Sequence, residues 1–480
     1  MMYGEEKSDS LIVAANLANN PQGAESVERR SGAKGNAEQP HMRRTQSRES
    51  MSQRLSRVRE AAKQRKKERF TALFHLLTAE ALENAFLSLS RKAAAGVDGV
   101  RWKDYAENLK VNIADLHRRL HQGSYRAQPG RRHYIPKADG KQRPLGIASL
   151  EDKIVQYALV KILNAVYEND FMGFSYGFRP GRSQHNALDA LATGLVRTNV
   201  NWVLDADISQ FFDKVSHEWL IRFIEHRIGD QRVIRLIRKW LTAGTSEEGE
   251  WRASEEGTPQ GAVISPLLAN IYLHYVFDLW AHQWRRRHAT GNVVMVRYAD
   301  DIVIGFDKRI DAQCFRIAMQ RRLKEFGLTV HPKKTRLMEF GRFAAENRAS
   351  RGKGKPETFN FLGFTHISGK DRSGRFMLIR KTRRDRMTAT LKAIKDGLRK
   401  RWHYSIPEQG KWLRRVVQGY LNYHSVPGNY PMMRKFRIYV TDLWRRALRR
   451  RSQQDDTTWT KANRLAAVWL PKVRVLHPWP

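Results

Sequence analysis

Residues 293–306 read Val-Val-Met-Val-Arg-Tyr-Ala-Asp-Asp-Ile-Val-Ile-Gly-Phe, with two adjacent carboxylates, Asp300 and Asp301, in the middle of the run. Val, Ile and Phe at this density predict two short buried strands, with Ala299-Asp300 as the tight turn between them. Two like charges side by side at such a place cost roughly several kcal/mol unless a cation neutralises them. A divalent metal meets that need. The turn also lacks the Asn-Gly or Asp-Gly chemistry that relaxes a two-residue hairpin, which predicts backbone strain there. Asp-Asp pairs also stand in exposed loops, so the pair alone leaves both readings open.

A third carboxylate narrows the choice. The stretch 202–208, Trp-Val-Leu-Asp-Ala-Asp-Ile, is strand-like and puts Asp205 and Asp207 on one face, because side chains alternate with period two. Phe211 and Phe212 follow at once. A strand offering an Asp beside a hairpin offering two more builds a pocket for two divalent ions. Ions roughly 4 Å apart can activate an attacking 3′-hydroxyl and stabilise a leaving pyrophosphate in an in-line displacement. Upstream, Tyr134-Ile135-Pro136 and Arg143-Pro144-Leu145-Gly146-Ile147 flank the turn Ala138-Asp139-Gly140. That pattern predicts a β-hairpin whose basic residues, Lys137 and Arg143, suit a triphosphate. The layout is that of a nucleotide polymerase.

Bulk properties point to a polyanionic partner. The 480 residues carry a formal net charge of +39 and a pI near 10.6, far beyond what solubility needs. Nucleic acid fits better than a membrane, because no apolar run approaches the length of a transmembrane helix. The N-terminus, Met-Met-Tyr-Gly-Glu-Glu-Lys, lacks the basic start and apolar segment of a signal peptide, which predicts an intracellular chain. The single cysteine, Cys314, excludes disulfides within the chain and cysteine-based zinc modules. Its neighbours Ala312, Phe315 and Ile317 predict a buried, inert thiol on a helix.

Along the chain, residues 1–50 lack apolar periodicity and read as a flexible tail. A basic stretch over 54–69 includes Lys63, Arg65, Lys66 and Lys67, either a solvated helix face or, as the clustering favours, an RNA phosphate contact. An amphipathic helix is expected over Phe70 to Leu89. Further helices are expected over 151–167, 216–228, 230–242 and 311–326. Ser265-Pro266 is expected to cap a long helix running to about Arg287. Residues 380–451 hold 21 Lys or Arg against four acids, a net of +17, with Trp and Tyr interleaved. Such a surface can meet phosphates with its cations and bases with its rings, although more than half of those rings are needed for a helical core.

Several stretches, in order, resemble the finger and palm blocks of reverse transcriptases, most closely those encoded by bacterial group II introns. They are Gly96-Val97-Asp98-Gly99, Ile135 to Ile147, Phe174 to Arg182, Asp205 to Asp213, and Thr258-Pro259-Gln260-Gly261 through Asn270. Next come Tyr298-Ala299-Asp300-Asp301, Gly327 to Thr335 and Phe361-Leu362-Gly363-Phe364. Downstream, Gly419-Tyr420-Leu421-Asn422-Tyr423 and the stretch Leu470 to Pro480 resemble the thumb, or maturase region, of the same family. Any one motif is weak; eight in the correct order are specific, and the similarity covers roughly 55–480.

The resemblance implies an α+β right-hand polymerase with fingers, a palm built on an antiparallel sheet, and a helical thumb or maturase domain. The expected division is a flexible tail over 1–53, a basic extension and fingers over 54–200, a palm over 201–378, a thumb over 379–455 and a C-terminal tail over 456–480. It makes Asp207, Asp300 and Asp301 the ligands of two Mg²⁺ ions, with Mn²⁺ as a substitute, and ranks Asp205 second. Lys137, Arg143, Phe211 and Gln260 fall where the family meets the incoming dNTP. Phe211 is expected to crowd a ribose 2′-hydroxyl. Core packing for Phe211 and a loop-structural role for Gln260 stay open.

RNA contacts are expected from the 54–69 stretch and from Arg383, Arg384, Arg414 and Arg415. The implied partners are the parent group II intron RNA, an RNA template with a DNA primer, target DNA and dNTPs, with the chain a monomer or homodimer in a bacterial cytoplasm, associated with the nucleoid. The implied function is RNA-directed DNA synthesis joined to splicing and retrohoming. Many relatives carry a C-terminal endonuclease with paired cysteines; with only Cys314, none is expected here, and the primer would come from elsewhere, such as a replication fork. The competing readings are an RNA-binding splicing cofactor with an idle pocket, or a relative from a retron, a diversity-generating element or a CRISPR-linked system.

Overall fold

The computed structural model describes residues 38–136, 142–247, 249–451 and 457–480. The part of the expected tail over 1–37 and the hairpin residue Lys137 lie outside them. The described chain is α+β, with three sheets set among helices.

The central sheet has strand order β6-β7-β3-β8, antiparallel at every pairing: β3 (Trp202–Asp207), β6 (Val293–Tyr298), β7 (Asp301–Phe306) and β8 (Arg336–Glu339). Five of the six residues of β6 and of β7 are buried, as the continuous apolar run requires. Alternate residues serve two cores. Val203, Val294, Val296 and Val303 pack against helix Gln184–Arg197 and the sheet β9 (Phe359–Phe361), β10 (Phe364–Lys370), β11 (Phe376–Thr382). Leu204, Met295, Ile302 and Ile304 face the larger core, which takes in the helices Leu150–Tyr167, Ser265–Arg287 and Arg309–Glu325. A third core belongs to a carboxy-terminal bundle of helices Arg384–Arg399, Ile406–His424, Tyr430–Arg449 and Trp459–Trp469. A separate sheet pairs β1 (Gly130–Pro136) with β2 (Gln142–Ile147) in the expected hairpin, and β1 with β4 (Thr245–Glu247), which pairs with β5 (Glu250–Arg252).

Several local expectations are corrected by tertiary contacts. A helix spans Glu38–Gln64, so residues 38–50 are helical and not a loose tail. The helix expected over 70–89 breaks into a 3-10 turn at Phe74–Leu76 and a helix at Ala79–Ser88 capped by Thr78. The break follows from Asp230, whose carboxylate takes the amides of Leu73 and Phe74 at 2.9 and 2.8 Å and so replaces helical acceptors. Ile264, not Ser265, is the cap of the next long helix; Ser265 is its first residue and donates to the Pro259 carbonyl. That helix also passes through one π turn, His274–Asp278, before continuing as Leu279–Arg287. Cys314 is exposed, because its helix turns Ala312, Phe315 and Met319 to the core and Cys314 with Ile317 outward. The stretch expected as a C-terminal tail contains the helix Trp459–Trp469, whose Ala466 joins the bundle core.

Candidate active site

Asp207 ends β3 and Asp301 begins β7, and the two are direct cross-strand partners. Partners in an antiparallel ladder have Cα atoms about 4.5–5.5 Å apart. Asp300 occupies the turn immediately before Asp301, so three carboxylates meet at one end of the sheet. Asp205, two residues back on the same face, has Val303 on one side and Arg336 on the other, with the Arg336 guanidinium 3.9 Å from its Oδ2.

The electrostatics are those of an under-neutralised anionic site. Burial, reinforced by the negative Asp300, Asp207 and Asp205, pushes Asp301 up to about 7, although its side chain keeps contact with solvent. Burial pushes Asp205 up to about 6 against the pull of Arg336. Asp300 is raised chiefly by burial and then by Asp207, while Arg143 and Lys334 oppose the rise. The cation at hand is Lys334, whose Nζ lies 2.9 Å from Asp207 Oδ2. Among the described residues no three such side chains are already drawn around one point, since Asp207 turns to Lys334. Backbone register nonetheless brings the three carboxylates to one end of the sheet, and their crowding favours a cation there. The donor set is hard oxygen, the type that magnesium and manganese prefer.

The turn is held by buried parts that the sequence analysis did not single out. Ala299 has φ +56, and Gln210 and Phe178 nearby have φ +47 and +59. Such conformations in non-glycine residues cost about 1–3 kcal/mol each and persist only where surroundings impose them. Gly177 packs under the turn so closely that a Cβ there would lie 2.3 Å from the Ala299 nitrogen. Arg297, wholly buried on β6, donates to Ala299 O at 3.0 Å, to both carboxylate oxygens of Asp278 at 2.7 and 2.6 Å, to Ser175 Oγ at 2.7 Å and to Asn270 Oδ1 at 3.1 Å. Asn270 in turn donates to Gly177 O at 2.6 Å. Asp278 closes the π turn, and that register brings its carboxylate inward. The one signal in the sequence was an arginine inside an otherwise apolar strand, which must find a buried partner.

Two of the expected nucleotide-contacting residues are brought together. Arg143, exposed on β2, donates through Nε to Gln260 Oε1 at 3.1 Å, and Gln260 Nε2 donates to Asp213 Oδ1 at 2.7 Å. Gln260 O also accepts from Gly146 N at 2.7 Å, tying the β1–β2 hairpin to the loop between β5 and the helix that begins at Ser265. Phe211, by contrast, is 2% exposed and packs on Phe212 and Tyr272. It is a core residue, the reading the sequence left open beside the sugar contact. The 3-10 turn Phe211–Asp213, entered through the left-handed Gln210, leaves Phe212 half-buried, edge-on to the exposed Phe178.

The expected RNA contacts are scattered. Lys63 lies in the last turn of the helix ending at Gln64, and Arg65, Lys66 and Lys67 follow it, all exposed. Arg384, Arg414 and Arg415 are exposed on bundle helices. Arg383 is occupied by Asp385, which it grips through two nitrogens at 3.0 and 2.7 Å.

Comparison with known proteins adds to this geometry. Residues 135–366 match the family described as reverse transcriptase (RNA-dependent DNA polymerase). The chain is 43% identical over 206 residues to Protein YkfC of Escherichia coli strain K12, across 42% of this chain and 54% of that one. It is 37% identical over 223 residues to the group II intron-encoded protein LtrA of Lactococcus lactis subsp. cremoris, across 46% of this chain and 37% of LtrA. It is 29% identical over 110 residues to nuclear intron maturase 2, mitochondrial, of Arabidopsis thaliana, across 22% and 15%. The chain thus spans about half or less of the length of these curated relatives.

Proposed function

We infer that this chain, a member of the group II intron-encoded reverse transcriptase and maturase family, copies RNA into DNA and assists the splicing and retrohoming of its parent intron RNA. The observation that carries the reading is the cross-strand pairing of Asp207 with Asp301, with Asp300 in the turn between β6 and β7. In this reading the central sheet is the palm, the β1–β2 hairpin belongs to the fingers, and the carboxy-terminal bundle is the thumb. The substrates are dNTPs and an RNA template bearing a DNA primer, and the wider partners are intron RNA and target DNA.

Asp207, Asp300 and Asp301 would hold two divalent ions, Mg²⁺ or Mn²⁺. When bound, such ions supply Lewis-acid stabilisation of the attacking and leaving oxygens. Lys334 neutralises Asp207 when no other cation does so. Arg143, exposed and steadied by Gln260, offers its remaining guanidinium donors to triphosphate oxygens. Phe212 is the ring free to limit the space beside a ribose. Arg297 fixes the turn from below and keeps Asp300 and Asp301 in register with Asp207.

The test is primer extension on an RNA template with wild-type protein beside the Asp300→Ala/Asp301→Ala variant. Loss of several kcal/mol of charge stabilisation predicts a fall of roughly 1000-fold or more in extension, with RNA affinity kept. Equal extension by both proteins sinks the copying role and leaves an RNA-clasping splicing cofactor.

A further inference from the structure

A groove lies between two bundle helices, Arg384–Arg399 and Tyr430–Arg449, well along the chain from the paired aspartates. Each helix turns an i, i+3, i+4, i+7 set into it, the sets completed by Trp402 and Arg450 just beyond the two helix ends. The floor is apolar: Leu398, Leu443, Ala447 and the face of Trp402. The ring of Trp402 is fixed, because its Nε1 donates to Ala447 O at 3.2 Å across the groove. The rim is cationic: Lys395 and Arg399 on one side, Arg446 and Arg450 on the other. Arg446 is paired with Asp442 at 2.7 Å, while Lys395, Arg399 and Arg450 have no ion-pair partner among the described residues. Among the described residues, no carboxylate lines the groove.

The groove offers about 120 Å³. An apolar cavity of roughly 150 Å³ accepts a benzene ring, whereas sites for whole drug-sized ligands start near 300 Å³. The groove therefore suits one planar ring with the rest of its molecule outside. Long arginine and lysine stems often cover apolar floors merely to stay soluble. Here, however, cations stand on both rims with a rigid indole between them, which suits a ring flanked on either side by negative charge. A base in a nucleic-acid strand has that form, with a phosphate before it and after it. Stacking on an aromatic platform between cations is a general way of holding single strands.

We propose that this groove takes one unstacked base of a single-stranded nucleic acid on the floor formed by Trp402, Leu398, Leu443 and Ala447, with the flanking phosphates held by Lys395 and Arg399 on one rim and Arg446 and Arg450 on the other. The proposal rests on the nucleic-acid reading above but assigns a site apart from the copying centre, with its own selectivity for unpaired over paired strands. It gives the bundle a means of recognising a loop or bulge in a folded RNA, where a base is already out of the stack.

The test is equilibrium binding of the full chain to a labelled 12-nucleotide single strand, as RNA and as DNA, and to an RNA duplex of equal length. It is read without dNTPs, so a catalytically idle chain that still shows the effect counts against the copying role and not against the groove. Trp402→Leu is expected to weaken single-strand binding by roughly 5- to 100-fold, the range for one stacked base, while duplex binding and the salt slope hold. Arg399→Gln/Arg450→Gln, both on exposed side chains, is expected to lower the single-strand salt slope by roughly 1.4, which is two phosphate contacts. The RNA and DNA arms tell which strand is bound. Equal losses on duplex and single strand, or no loss for either variant with circular dichroism unchanged, overturns the site. Displacement by an acidic, tryptophan-containing peptide and not by unlabelled oligonucleotide also overturns it, in favour of a protein partner.

Discussion

Around the paired aspartates the flanking charges have neighbours, Lys334 on Asp207, Arg336 on Asp205, and Arg297 held by Asp278, Ser175, Asn270 and the Ala299 carbonyl, while Asp300 and Asp301 have no ion-pair partner among the described residues. On the carboxy-terminal bundle, Arg384, Arg414, Arg415, Lys395 and Arg399 project into solvent on helix faces and have no ion-pair partner among the described residues. The first arrangement spends buried hydrogen bonds and strained backbone on positioning three carboxylates. The second leaves these cations exposed and without an ion-pair partner among the described residues, which suits a phosphate chain whose contacts shift along a surface. The contrast teaches that one net charge serves two purposes in one chain: placement at the sheet, attraction at the bundle. Mutations should therefore act very differently in the two regions.

The sharpest way to break this contrast is Arg297→Leu. Removing one partner of a buried, hydrogen-bonded pair strands Asp278 and should cost about 3–5 kcal/mol, seen as a lowered midpoint in urea or thermal unfolding. The double variant Arg297→Leu/Asp278→Leu should regain much of that stability but not primer extension, since the turn carbonyl has lost its donor. Recovery of both would show that Arg297 only fills space.

A similar loss, about 3–5 kcal/mol, is expected for Phe211→Ala, because the ring is in the core. Phe212→Ala should cost less stability and instead raise ribonucleotide incorporation relative to deoxynucleotide. The reverse pattern, with Phe211 controlling sugar choice, would restore the reading made from sequence.

The raised carboxyls predict a smaller, pH-dependent effect. Asp301 is pushed to about 7 in the folded chain against an ordinary value near 3.8, so the folded state binds the extra proton between those limits. Stability without divalent metal should then fall as pH rises from about 4 to about 7, by roughly 1 kcal/mol or less once solvent screening of this accessible group is allowed for. Asp301→Asn should flatten that slope in a thermal melt, and Mg²⁺ should oppose it in the wild type. A metal-free melting temperature that climbs through the same window would contradict the site's excess of negative charge.

Smallest of all is Arg414→Gln/Arg415→Gln. Both side chains are exposed, so stability should stay within about 0.5 kcal/mol of wild type. RNA affinity should weaken across sequences alike, with the salt slope reduced by roughly 1 to 2.

Much of the centre of this molecule was legible in the chain. The apolar run 293–306 with its Asp-Asp break fixed a hairpin, and period-two spacing put Asp205 and Asp207 on one face, because strand geometry is local and repeats every two residues. The order of motifs resembles that of reverse transcriptases, whose family model matches residues 135–366, and the net charge of +39 points to a polyanionic partner. Local rules failed where a distant residue supplied what the backbone needed. Asp230 broke the helix expected over 70–89, and a π turn delivered Asp278 to Arg297. A turn entered through a left-handed Gln210 buried Phe211 and left Phe212 half-buried, and a helix's rotation turned Cys314 outward. Sequence by itself determined which residue types lie on which strand and how strongly the chain attracts anions. Only the tertiary structure decided which charges meet, which ring is buried and what braces the turn, because those outcomes depend on contacts between separate segments, some of them more than a hundred residues apart, such as Ser175 with Arg297.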